Sequence, residues 1–124
     1  MFKIENKVIH LTRGDIANIE VKALNEDGTE YTFVNGDVIR LKVFKKKDFN
    51  NIELQKEVMI ENPTTSANIN LTKDDTKIGG IINKPVEYWY EVELNPETNP
   101  QTIIGYDEEG EKIFKLYPEG NDEE

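Results

Sequence analysis

The sequence predicts an all-β domain, a sandwich of about seven to eight short antiparallel strands. Three observations lead there. Apolar residues alternate with polar ones in several short runs, the period of a strand with one buried face. Gly, Asn, Asp and Pro clusters separate those runs at close intervals, with almost no helical pattern between them. One run, Val86 to Leu94, is long and rich in aromatic and β-branched residues, which fit a pleated surface. At ~3.3 Å per residue it is about 30 Å long, enough to cross a small sandwich. Pro85 opens it and Asn95-Pro96 closes it.

Taken in order, Val8 to Leu11 is a short apolar run that ends in a turn at Thr12-Arg13-Gly14-Asp15. Ala17, Ile19, Val21 and Ala23 then face inward, against Asn18, Glu20 and Lys22 outward. Asn25 to Gly28 is a hairpin signal, with Gly28 free to take positive φ, and Tyr31 and Phe33 form a brief returning strand. Asn35-Gly36-Asp37 turns again. Val38 to Phe44 follows, with Ile39, Leu41 and Val43 inward and Arg40 and Lys42 outward. Lys45 to Asn51 reads as a polar loop and Leu54 to Ile60 as a weak strand broken at Glu61-Asn62-Pro63. Ala67, Ile69 and Leu71 give a fifth alternating run.

Thr72-Lys73-Asp74-Asp75 has capping-box spacing with Asp in place of Glu, which predicts one helical turn near residues 72–78, ended by Gly79-Gly80. Thr102 to Gly105 and Lys112 to Leu116 are strands, expected as a hairpin around Tyr106 to Gly110. A helical turn between the fifth run and the aromatic strand is the corner that an immunoglobulin-like sandwich has there, so Val86 to Leu94 takes the place of its strand F. The domain is expected to span 1–117, with 118–124 a disordered acidic tail. Ile39, Leu41, Val43, Ile69, Leu71, Tyr88, Tyr90 and Val92 are the expected core.

Composition excludes several functions. The chain has 124 residues and a formal charge of −10, a poor match to nucleic acid, where phosphates are neutralised by clustered Lys and Arg. The segment from Arg40 to Asp48, with five bases and one acid, runs against that balance. There is no cysteine, hence no disulfide, thiolate metal site or thiol nucleophile. No signal-peptide core opens the chain, and no apolar run approaches the ~20 residues of a membrane span, so no membrane insertion is expected.

His10 is the only histidine, which rules out a His-rich metal site and leaves no Ser-His or Cys-His device. Arg13-Gly14-Asp15 spells an integrin-binding tripeptide, but Gly and Asp are what a turn requires there. Asp107, Glu108, Glu109 and Glu111 lack the alternating spacing of a calcium loop and read as a solvated loop tip. Glu87, Glu91 and Glu93 lie along one face of one strand, not across a cleft as glycoside hydrolysis requires. Hence no catalytic residue, no metal and no cofactor are expected. Trp89 breaks the acidic row and carries two readings: an exposed interface anchor ringed by Glu87, Glu91 and Glu93, or a ring covered by a second layer such as the Lys45–Asn51 loop.

Several stretches together resemble a known family, the small proteins encoded in tail and baseplate regions of phages and prophages of Gram-positive bacteria. They are the opening V-I-H-L-T-R-G-D, the strand G-D-V-I-R-L-K-V, the corner I-N-L-T-K-D-D-T, the strand P-V-E-Y-W-Y-E-V-E-L and the ending Q-T-I-I-G-Y-D-E-E-G-E-K-I-F-K-L-Y-P-E-G. The arrangement is similar to the N-terminal domain of baseplate upper proteins, an immunoglobulin-like sandwich that attaches a receptor-binding organelle to the virion. The resemblance covers nearly the whole chain at the level of strand patterns and carries no catalytic residue across. It implies a non-enzymatic structural or adaptor component of a tail or baseplate, made in the cytoplasm and located in the virion. Its partners would be other tail or baseplate proteins or further copies of itself. A carbohydrate-binding or host-surface adhesion module is the alternative, and would need several aromatics exposed on one sheet face.

Overall fold

The computed structural model describes the backbone of residues 2–5 and the backbone and side chains of residues 7–120. Among the described residues nine strands follow one another: β1 (Phe2–Glu5), β2 (Val8–Thr12), β3 (Ala17–Val21), β4 (Val38–Lys45), β5 (Asp48–Met59), β6 (Ala67–Leu71), β7 (Val86–Leu94), β8 (Gln101–Ile104) and β9 (Ile113–Tyr117). β3 and β6 form a small antiparallel sheet. The large sheet has the order β1-β2-β9-β7-β4-β5, with β8 also bonded to β7. The pairing is that of an immunoglobulin-like sandwich: β3 with β6 as strands B and E, and β4, β7 and β8/β9 as C, F and G.

The alternation read from sequence fixes which side chains meet between the sheets. Ala17, Ile19 and Val21 on β3 and Ala67, Ile69 and Leu71 on β6 are buried. They join Ile39, Leu41 and Val43 of β4, and Tyr88, Tyr90, Val92 and Leu94 of β7, in one cluster. Ile9, Leu11, Phe114 and Leu116 extend it along β2 and β9.

The corner after β6 is built as its residues require. Thr72 N–H donates to Asp75 Oδ2 at 2.8 Å while Asp75 N–H donates to Thr72 Oγ1 at 3.2 Å, a reciprocal capping pair. The segment makes one hydrogen-bonded turn, through Thr76 N–H to Thr72 O at 3.3 Å and Lys77 N–H to Asp74 O at 3.2 Å, and goes no further.

Four expectations are corrected. The large sheet is mixed, not purely antiparallel, because β2 runs parallel to β9. Lys45 to Asn51 is not a loop: Lys46-Lys47 is the whole turn, with Lys47 at φ 66°, and β5 begins at Asp48. β5 pairs on one side only, with β4, so it needs no alternating apolar signature to be a strand. β8 and β9 are not a hairpin. β4 occupies one edge of β7, and β9 and β8 lie end to end on the other, β9 along Val86 to Trp89 and β8 along Val92 to Leu94. Tyr31 to Phe33 forms no strand. The returning segment makes only isolated bridges, Leu24 with Glu30 and Phe33 with Thr64. Of the expected tail, Pro118 and Glu119 are half-buried, and residues 121–124 lie outside the described residues.

Candidate interaction face

The candidate residues stand on the outer face of the large sheet, where β4 and β7 are neighbours. Their register sets Arg40 opposite Glu93, Lys42 opposite Glu91 and Phe44 opposite Trp89. The basic outward row of β4 thus lies against the acidic outward row of β7, and like charges are kept apart across the ladder. Lys42 Nζ is 3.0 Å from Glu93 Oε1, an ion pair without hydrogen-bond alignment. Lys46 Nζ reaches Glu87 Oε1 at 3.2 Å. Arg40 donates to Glu57 at 2.8 Å and to Glu97 at 2.9 Å, which holds its pKa above the usual arginine value. Burial raises the pKa of Glu91, the Glu93 carboxylate adds to the effect, and Lys42 opposes it. Glu87, Glu91 and Glu93 are all half-buried, so the acidic row is not the open, solvated ring expected.

Trp89 is half-buried, and the covering layer is aromatic. Phe44, only 3% exposed, contacts Phe49 edge-on at 5.0 Å between ring centroids. Phe49 contacts Trp89 at 5.2 Å, and Trp89 contacts Tyr106 at 6.2 Å. The expected cover from the Lys45–Asn51 segment is therefore real in position, but it is supplied by one side chain of the β5 strand. The cluster is unfinished on its outer side, where Phe49 is 43%, Ile52 45% and Tyr106 64% exposed. The indole Nε1 of Trp89 is buried with no hydrogen-bond partner.

Phe44, Phe49, Ile52 and Tyr106 were not legible as members of this site. The ladder between β4 and β5 shifts register on both sides of Phe44, which breaks the parity from which faces are read. The one available signal was Phe44 itself, an aromatic on the parity opposite Ile39, Leu41 and Val43.

No family model matches the chain, and neither the curated proteins nor the solved structures yield a match. The face is therefore read from its own chemistry.

The other candidates are built into the fold. Arg13 is 1% exposed, and its Nη2 donates to Gly79 O at 3.5 Å, so the Arg13-Gly14-Asp15 tripeptide does not present its guanidinium to a receptor. Gly14, at φ 88°, donates its N–H to Thr76 Oγ1 at 3.0 Å, and Thr76 Oγ1 donates to Asp15 O at 2.8 Å, tying this turn to the corner after β6. His10 Nδ1 lies 2.8 Å from the Tyr117 hydroxyl. The acidic loop closes on itself: Lys112 Nζ donates to Asp107 Oδ1 at 2.8 Å and to Gly110 O at 3.0 Å. Lys112, then the Glu109 N–H, hold the Asp107 carboxyl below the usual carboxylate range. Among the described residues, no three His, Cys, Asp or Glu side chains gather as a metal site, and no helix is long and apolar enough to cross a membrane.

Proposed function

We propose that this protein is a non-enzymatic structural or adaptor component of a phage or prophage tail or baseplate, and that it binds protein through its outer aromatic face. The observation that carries the binding mode is the open cluster of Phe49 and Tyr106 around Trp89, with exposed Ile52 opposite Phe44 on the same ladder. Apolar area of this kind is costly to leave in water and is where interface anchors cluster. The placement in a tail or baseplate rests on the sequence resemblance. Because Lys42 and Lys46 already pair with Glu93 and Glu87, the face offers a basic partner less attraction than its acidic row alone would. Apolar contact, not charge, then dominates the affinity.

The carbohydrate-binding alternative is favoured by one specific observation, the grouping of several aromatics on one sheet face. The ring angles weigh against it. Phe44 and Phe49 meet edge to face at 73° and the two Trp89 pairs are tilted at 52°, so the rings do not lie side by side as a flat platform for a sugar ring.

The test is light scattering of the wild-type protein alone and mixed with tail and baseplate proteins, repeated for Trp89→Ala and Tyr106→Ala. Self-association or co-assembly should weaken in Trp89→Ala by about 30-fold, the equivalent of ~2 kcal/mol for a lost anchor. Tyr106 is largely exposed, so its variant should weaken binding while leaving the fold intact. A strict monomer indifferent to all such proteins, yet retained on a polysaccharide column, would replace this reading with the carbohydrate-binding one.

A further inference from the structure

Among the described residues β8 is bonded to β7 alone, and its other edge is open. A concavity of about 620 Å³ is lined by all four residues of β8, by Lys7 and Leu94, and by Tyr31 and residues 22–26. An open strand edge in a groove is where an extended segment adds by main-chain hydrogen bonds.

The register says which segment fits. β9 and β8 lie end to end on one edge of β7, and β2 lies against β9 on the far side. The line of β2, run backwards past Lys7, therefore passes along the open edge of β8. Ile9 stands against Phe114 and Phe114 against Tyr88, while Thr102 stands against Glu93 and Ile104 against Val92. Counting back along that line places residue 4 beside Thr102 and residue 5 beside Ile104, running parallel. Phe2–Glu5 and Gln101–Ile104 have four residues each, so the two lengths match.

The chain leaves that line in this structure. It reverses between Glu5 and Val8, with Lys7 at φ 65°, and β1 pairs back on the outer edge of β2. That left-handed conformation is unfavourable for a residue with a Cβ. The Tyr90 hydroxyl donates to Lys7 O at 2.5 Å, which pins the start of β2 and makes Lys7 the pivot.

We propose that this concavity is a second seat for the chain's own N-terminal strand: with Lys7 extended, residues 2–5 continue β2, pair with β8 and leave the outer edge of β2 open. One segment cannot hold both seats. In the first, β2 is covered and β8 is open. In the second, β8 is covered and β2 offers an edge to which a strand of another protein can add. The proposal rests neither on the aromatic face nor on placement in a tail.

The chain has no cysteine, so an engineered pair reports on one contact. In Ile4→Cys/Thr102→Cys the two positions are about 19 Å apart in the first seat, from five residues at ~3.3 Å and two strand spacings at ~4.8 Å. A disulfide spans at most ~7 Å between Cα atoms, and neighbours in the second seat are about 5 Å apart. Mild oxidation should give an intrachain disulfide, read by mass spectrometry of its peptides. Lys7→Val, β-branched and averse to positive φ, should speed its formation about fivefold, and Lys7→Gly should slow it about fivefold. Thr102 is exposed, and circular dichroism checks that the variants are folded. Amide exchange needs no cysteine: exchange in β8 should slow about fivefold in Lys7→Val alone. No intrachain disulfide in any background, a rate indifferent to residue 7, or unchanged exchange in β8 would overturn the second seat. A disulfide formed only between chains would also overturn it, and would give the groove to the strand of a second copy.

Discussion

Phe114→Ala should cost about 3–5 kcal/mol of folding stability, the largest loss expected from any single truncation considered for this domain. Phe114 is fully buried and stands at the seam of the large sheet, opposite Ile9 of β2 on one side and Tyr88 of β7 on the other. Strands on both sides hold the β9 backbone, so the vacated volume cannot close by local collapse. The cavity term therefore adds almost in full to the lost transfer energy. Against a total stability of roughly 5–15 kcal/mol, such a loss leaves a marginal protein. Urea unfolding should show a lower midpoint with an unchanged slope. Phe49→Ala, on the outer face, should cost far less. Equal losses in the two variants would mean that the aromatic cluster carries as much of the stability as the inter-sheet core.

The second large effect is expected at Asp37. This carboxylate is 7% exposed and holds three parts of the chain together. Its Oδ2 accepts from the Tyr31 hydroxyl at 2.8 Å and from the Val34 N–H at 2.9 Å, and its Oδ1 accepts from Asn95 Nδ2 at 3.1 Å. Asn95, at φ 48°, in turn accepts the Val38 N–H at 2.8 Å. Asp37→Ala would leave these donors, which are half-buried or exposed, without their shared acceptor, at a cost of about 1–3 kcal/mol. Burial raises the pKa of Asp37, but hydrogen bonds from Val34, Asn95 and Tyr31 together outweigh it and hold the carboxyl below its ordinary value. The sign follows from that. The unfolded chain binds the proton more readily, so the contribution is fully present above the unfolded value of about 3.9. It fades as pH falls through the lower, folded value. Asp75 is shifted down as well, burial again being overcome by Lys56 and Thr72, so part of the acid slope persists in Asp37→Ala. The test is stability measured between about pH 5 and pH 2, a window set by that unfolded value. A slope identical in wild type and variant would remove Asp37 from the account.

The sandwich was legible wherever a strand has one buried face. β3, β4, β6 and β7 announce themselves because Ile19, Leu41, Ile69 and Val92 each recur with polar neighbours at period two. What stayed hidden was pairing over distance. Nothing local to Ile113–Tyr117 states that β9 lies parallel to β2, or that β8 and β9 share one edge of β7. β5 was half missed because a strand bonded on one side is not obliged to alternate. At the candidate face, the parity of Trp89 and the opposite signs of Lys42 and Glu93 were both on the page, but only the register brings them into contact. Phe49 and Tyr106 reach Trp89 from segments that read as polar loops, so their role was invisible before folding.

The parallel seam between β2 and β9 also has a mechanical meaning. Force applied in opposite directions at Val8 and Tyr117 slides two strands running the same way past each other. The rungs from Ile9–Phe114 to Thr12–Tyr117 then share the load together. Force that separates β1 from β2 at Phe2 instead opens an antiparallel ladder one rung at a time. The same edge of the sheet should therefore yield easily in one direction and resist in the other. Force spectroscopy with handles at those positions would read the difference as two distinct rupture forces.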